Sequence, residues 1–160
     1  MRWSISTKQA KRPERIIMTL FVAITMVTSV PTARAVSPSY PGGTLIRVII
    51  GKTILTGWLW NNATARDLLA QLPLTLTLSD FNRLEKIAAL PRKLSTDGAP
   101  PGDDPSPGDI GYYAPWGNLV FYYGDVGYFN GIVRIGRFEE NLDAIRMQTE
   151  DFTARIELVK

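Results

Sequence analysis

The chain has 160 residues, with 18 Lys and Arg against 15 Asp and Glu, and contains neither His nor Cys. Those absences remove the usual zinc, copper, haem and iron–sulfur ligand sets, the Ser-His and Cys-His nucleophile pairs and any disulfide, so no catalytic residue, metal site or cofactor is expected. Six of the basic residues and one acidic residue precede position 36, leaving 12 against 14 on the remainder; this net −2 speaks against a nucleic-acid partner, which needs clustered basic surplus.

At the N-terminus, Arg2, Lys8, Lys11, Arg12 and Arg15 precede an uncharged run from Ile16 to Val30, and Thr32-Ala33-Arg34-Ala35 ends in small residues. A basic segment, a short apolar run and an Ala-x-Ala site are the three parts of a cleavable secretory signal, with Ala33 and Ala35 at the positions where the peptidase admits little. The apolar run is followed by Pro31 and is shorter than the about 20 residues a membrane span needs. Residues 1–35 are therefore read as a signal peptide cleaved after Ala35. The product is expected to be exported, periplasmic or extracellular, and to meet the membrane only through that signal.

Residues 36–43, rich in Pro, Ser and Gly, read as a flexible leader, and residues 44–160 as one domain of ordinary size. Thr44 to Ile50 and Thr53 to Trp60, around Gly51-Lys52, predict a hairpin. Asn61 or Asn62 offers an N-cap for a helix through Ala63, Leu68, Leu69 and Leu72, stopped by Pro73. Leu74 to Leu78 alternates with Thr as a half-buried strand does, and Lys86 to Leu90 is a further strand. Residues 95–109 lack hydrophobic periodicity and read as a long loop. Tyr112 to Trp116 and Leu119 to Tyr123 read as strands around Gly117-Asn118, and Ile132 to Ile135 as another. The glycines between 124 and 136 read as turns. Phe138 to Ile145 has helical spacing, and Thr153 to Val159 closes the chain as a strand. Seven or eight short strands with two short helices suit a β-barrel with helices at its open ends.

The richest candidate feature is the aromatic cluster Tyr112, Tyr113, Trp116, Phe121, Tyr122 and Tyr123. Neighbours on a strand face opposite ways, so half of these enter the core while the rest are exposed or line a groove. Tyr and Trp combine apolar area with a polar tip, which suits a peptide or small-molecule cleft. Tyr113, Trp116, Asn118 and Tyr122 are the ligand-binding candidates on these strands, set against ordinary packing on both sides of a barrel wall. Arg92, beside Lys93, can take a carboxylate or phosphate in bidentate fashion, or can simply be a solvated guard on a strand edge. Asp97, Asp103, Asp104 and Asp109 lack the spacing of a calcium loop and suit turns better. The same loop acids, or Asp80 with Glu85, could supply paired carboxylates for glycoside hydrolysis, with nothing to set the separation of Asp80 and Glu85.

The run Ile135-Gly136-Arg137-Phe138-Glu139-Glu140-Asn141-Leu142-Asp143-Ala144-Ile145 resembles the cyclophilin signature, in which a strand ends in Phe-Gly-Lys-Val and enters a Glu-Gly-containing helix. Pro107-Gly108-Asp109-Ile110-Gly111-Tyr112-Tyr113-Ala114-Pro115-Trp116-Gly117-Asn118 is similar to the short bacterial cyclophilin-like proteins. So is Leu72-Pro73-Leu74-Thr75-Leu76-Thr77-Leu78-Ser79-Asp80-Phe81. The resemblance spans residues 44–159 and implies a mainly β fold, a closed barrel of about eight strands with two capping helices.

Active cyclophilins carry a Phe-His-Arg strand and a Gln-Gly-Gly-Asp segment, and their guanidinium weakens amide resonance across a barrier of about 18–20 kcal/mol. The matching strand here, Leu74 to Leu78, has none of the three residues, and no Gln-Gly-Gly-Asp follows. The resemblance therefore implies a non-catalytic module for a peptide or small molecule. The alternatives are a divergent prolyl isomerase using Arg83, Arg92 or Arg134, and a structural partner-binding protein. An arginine over a proline-sized pocket would favour the isomerase, an aromatic cleft without one the module, and a flat apolar patch the structural protein.

Overall fold

The computed structural model describes residues 42–139 and 142–159. The expected signal peptide, its cleavage residues Ala33 and Ala35, and residues 36–41 of the leader lie outside the described residues.

Strands β1 (Thr44–Ile50) and β2 (Thr53–Leu59) form the predicted hairpin, paired from Thr44 opposite Leu59 to Ile50 opposite Thr53. Gly51 takes the left-handed turn conformation, φ +57°, that its missing Cβ permits. Asn62, rather than Asn61, caps helix α1 (Ala63–Leu69), its side chain accepting from the Ala65 N–H at 2.8 Å. The helix ends before Leu72, and residues 70–72 finish it as a turn.

The strand after Pro73 is longer than expected. β3 runs Leu74–Phe81, and its alternation carries past Leu78 to place Asp80 on the barrel side with Leu76 and Leu78, and Phe81 on the outside. β4 (Glu85–Ala89) and β7 (Asn118–Tyr122) each begin one residue before their predicted positions. β6 occupies Asp109–Tyr113, not residues 112–116, and Ala114 to Gly117 make the turn instead. Ile110 and Tyr112 are the inward residues that define β6, which the glycine between them obscures in the sequence.

The predicted loop at 95–109 contains a two-residue strand, β5 (Gly102–Asp103), paired with β8 (Phe129–Asn130) in the glycine-rich stretch. β9 runs Ile132–Phe138, so Phe138 is a strand residue and the expected helix at 138–145 shrinks to α2 (Asp143–Arg146). The physical reason is pairing: Gly136 and Phe138 lie opposite Leu59 and Gly57 of β2, and the Phe138 ring meets Phe121 edge-on at 5.0 Å in the core. Among the described residues of that segment, Leu142, which precedes α2, and Ile145 within it are buried in the core, three residues apart. β10 (Phe152–Leu158) closes the circle.

The order around the closed barrel is β1-β10-β3-β4-β7-β6-β9-β2, with antiparallel neighbours throughout. Because β2 and β9 are antiparallel neighbours, the helices that follow them, α1 and α2, sit at opposite ends. Leu68 of α1 and Ile145 of α2 bury themselves in the main core, joining Val48, Leu59, Leu78, Leu119 and Ile135. Closure gives each of the eight barrel strands a partner on both sides, and the short β5–β8 ribbon stands apart from it.

One end of the interior is polar. Asp80 and Lys86 are directly opposite each other across β3 and β4. The Lys86 side chain, 1% exposed, donates to Asp80 Oδ1 at 2.6 Å and to the backbone carbonyl of Gln148, just after α2. Tyr123 donates its hydroxyl to the same Asp80 oxygen and lays its ring 5.0 Å from Lys86 Nζ. Burial alone would raise the Asp80 carboxyl, but the hydrogen bonds from Lys86 and Tyr123, with the lysine charge, outweigh it and leave Asp80 below its ordinary range. Burial and the Asp80 contact push the Tyr123 phenol up to about 12.

Candidate functional site

The alternation along β7 sorts the aromatic cluster into two faces. Leu119, Phe121 and Tyr123 point into the main core, as does Tyr112 of β6, whereas Val120 and Tyr122 pack with Ile132 in a separate apolar cluster on the outer face. That outer face bears a cleft of about 350 Å3, within the size range of small-ligand sites.

Its floor is laid by Glu85 and Ile87 of β4, by Asn118, Val120 and Tyr122 of the adjacent β7 and, beyond β6, by Ile132 of β9. The register places Glu85 opposite Tyr122 on one side and opposite Phe81 on the other, and Ile87 opposite Val120. Tyr122 leans across Gly111 of β6. A Cβ at that glycine would lie 2.6 Å from the tyrosine ring, so the missing side chain is what makes room for it. A chain of rings forms the aromatic wall. Trp116 meets Phe81 edge-on at 5.6 Å and Tyr113 edge-on at 5.2 Å, and Tyr113 meets Phe129 at 6.1 Å. Trp116, in the β6–β7 turn, remains 57% exposed despite these contacts, which puts its indole at the mouth of the cleft.

Among the described residues that line the cleft, the one carboxylate is Glu85, and there is no Lys or Arg. Burial raises the Glu85 carboxyl above its ordinary value. Burial also raises the Tyr122 phenol, helped by the negative charge of Glu85 across the strand pair.

Four of the five predicted ligand-binding candidates, Tyr113, Trp116, Asn118 and Tyr122, come together in this one cleft. Arg92 does not join them. Its guanidinium holds Asp67 of α1 through two hydrogen bonds, of 2.5 and 3.1 Å, and the same carboxylate accepts the Ser95 N–H at 2.8 Å. Arg92 is thus part of a clasp between α1 and the segment after β4. The Arg92 hydrogen bond, then that of Ser95, hold the Asp67 carboxyl below its usual range.

Asp80 and Glu85 do not form a carboxylate pair, because Asp80 faces the interior and Glu85 the outer cleft. Asp103 and Asp109 are engaged in ion pairs with arginines of β9. Buried Asp109 pairs with Arg137 at 2.7 Å and with Arg134 at 3.2 Å, and accepts the Ser106 N–H. Arg134 Nε reaches Asp109 as an ion pair without hydrogen-bond alignment. Its guanidinium also lies 5.1 Å from the Trp60 ring, on a different part of the surface from the aromatic cleft. Phe81, Glu85, Ile87, Val120 and Phe129 are cleft residues that sequence reasoning missed as a group. The alternation of Glu85 with Ile87 and of Asn118 with Val120 was the available signal.

A family model described as the cyclophilin-like family matches residues 48–157. The chain belongs to the cyclophilin-like family. Among solved structures, the hypothetical protein AF2241 from Archaeoglobus fulgidus, determined in solution, is similar to this cyclophilin-like chain with a TM-score of 0.56 and 14% identity. The match covers 74% of this chain and 96% of the other. At that identity the likeness shows a shared fold. No curated protein matches. The arginine expected of an active cyclophilin has no counterpart in the cleft: Arg92 and Arg134 are held in ion pairs elsewhere, and exposed Arg83 sits in the β3–β4 turn outside the lining.

Proposed function

We propose that this protein is an exported, non-catalytic cyclophilin-like module that holds a small molecule or a peptide side chain in the outer aromatic cleft. The observation that carries the reading is the composition of that cleft: four rings in edge-on and tilted contact beside a mainly apolar floor, and no guanidinium among the described lining residues. Rings of this kind offer apolar area with few rotatable bonds, which favours binding at low entropic cost. A prolyl isomerase would need a donor poised over the substrate amide, and the nearest arginines are committed or outside.

NMR exchange spectroscopy with Ala-Pro peptides tests both halves. Uncatalysed prolyl isomerisation takes tens to hundreds of seconds, so any catalysis would appear as exchange cross-peaks. None is expected, while the Trp116 indole N–H signal is expected to move with small aromatic ligands. Catalysed exchange abolished by Arg83→Ala would overturn the non-catalytic reading and favour a divergent isomerase.

Export is inferred from the N-terminal pattern of basic residues, apolar run and Ala33-Arg34-Ala35. N-terminal sequencing of the protein recovered outside the cytoplasm is expected to begin at Val36. A start at Met1 would mean that the segment is retained.

A further inference from the structure

We infer that the outer cleft takes a small organic ammonium, its apolar body against the Tyr113, Trp116 and Phe81 rings and its charged nitrogen on the Glu85 carboxylate. The inference rests on the binding reading of that cleft and specifies the chemistry of its ligand.

Glu85 is the reason. Ion pairs occupy the other acids that lie within the described strands: Asp80 with Lys86, Asp103 and Asp109 with Arg134, and Glu157 with Arg47 and Arg155. Glu85 is half-buried, lies between Phe81 and Tyr122 in the strand register, and has no cation or hydrogen-bond donor against its carboxylate among the described residues. Lys86, next in sequence, points to the opposite face and is consumed by Asp80. A carboxylate desolvated by apolar neighbours without a partner costs folding free energy, and groups held in that condition concentrate at functional sites. The raised position of its acid equilibrium agrees with that environment.

The shape of the cleft agrees as well. An anion would meet Glu85 with like charge, and a wholly apolar ligand would leave the carboxylate buried and unpaired beneath it. An ammonium does neither. It pairs with the carboxylate, and the faces of Tyr and Trp rings attract a cation through their quadrupoles. The volume of about 350 Å3 suits one aromatic ring with a short aminoalkyl chain.

The test compares 2-phenylethylamine, cationic at neutral pH, with its uncharged analogue 2-phenylethanol, titrated into the full chain and into Glu85→Gln. The Trp116 indole N–H and the Tyr122 amide are followed by NMR. The amine is expected to bind the parent at least tenfold more tightly than the alcohol, and Glu85→Gln is expected to bring the two within twofold. Glu85→Gln removes a partly desolvated charge and is expected to be no less stable than the parent at pH 7, so lost preference will not reflect unfolding. Equal binding of the two compounds by the parent would overturn the ammonium assignment and leave the cleft as a binding site. Amine preference that survives in Glu85→Gln would overturn the role of Glu85. If neither compound moves the cleft signals, the ammonium assignment fails and the aromatic cleft loses its standing as a small-ligand site.

Discussion

Replacing Lys86 by Met is expected to cost about 3 kcal/mol of stability, the lower end of what breaking a buried ion pair costs. Methionine keeps most of the apolar stem, so little of the loss comes from packing. What it removes is the ammonium that neutralises Asp80, holds the Gln148 carbonyl and faces the Tyr123 ring. The lower end is the right one because the Asp80 side chain is 22% exposed and water can relieve part of the stranded charge. Urea unfolding of parent and variant measures the difference directly. Asp80→Asn together with Lys86→Met removes both charges, and this pair is expected to be at least 1 kcal/mol more stable than the sum of the single losses, because the two groups touch.

The same network sets an acid limit. The Asp80 carboxyl lies below its ordinary value of 3.8 in the folded protein, so its ionised form is favoured by folding. Its contribution is fully present above the unfolded-state value and is lost as pH falls through the lower, folded one. In Lys86→Met the carboxyl loses the lysine that held it down, while burial still pushes it up. The stability gap between parent and variant is therefore expected to be widest near neutral pH and to narrow as pH drops below 4. A gap that is flat across that range would mean that Asp80 does not sense Lys86 and that the loss is one of packing.

Much of the barrel was legible because its strands alternate. Parity alone divides Tyr112, Phe121 and Tyr123 from Tyr113 and Tyr122, and the structure follows that division. The Leu-Thr alternation from Leu74 ends at Leu78 in the sequence, whereas the strand continues to Phe81. Asp80, a charged residue at an inward position, breaks the hydrophobic pattern, and its partner Lys86 could be known only once β3 and β4 were in register. Arg92 failed as a site residue for a similar reason: its acid, Asp67, lies 25 positions away on α1, and sequence spacing says nothing of that approach. The spacing of Phe138, Leu142 and Ile145 suits a helix. Pairing of Phe138 with Gly57 on the neighbouring strand β2, far away in sequence, overrides that local preference. In the sequence Glu85 stands out only as an acid five residues from Asp80. Its partnerless position on an aromatic face depends on three strands lying side by side.

Gly111→Ala is expected to lower stability by about 1–2 kcal/mol and to disturb the cleft without touching any residue of its aromatic wall. Two effects oppose one another. Gly111 lacks the positive φ seen at other glycines of this chain, so alanine fits the backbone there. Such a replacement ordinarily stabilises by about 0.4–1 kcal/mol through the unfolded chain. Against this, the new Cβ would stand 2.6 Å from the Tyr122 ring and 3.2 Å from its hydroxyl. Tyr122 is 1% exposed and packed with Val120 and Ile132, so its ring can give way only toward the cleft, at the expense of that packing. Overpacking of that kind costs about 1–3 kcal/mol, and the clash prevails. The ring has one open direction, toward the cleft and Glu85, so the Trp116 indole signal should shift in the variant even without ligand. Adding Tyr122→Leu to Gly111→Ala removes the ring and should recover part of the lost stability, which a general weakening of β6 would not allow. If Gly111→Ala proves as stable as the parent, Tyr122 moves freely, and the floor of the cleft is a soft surface that adapts to its ligand.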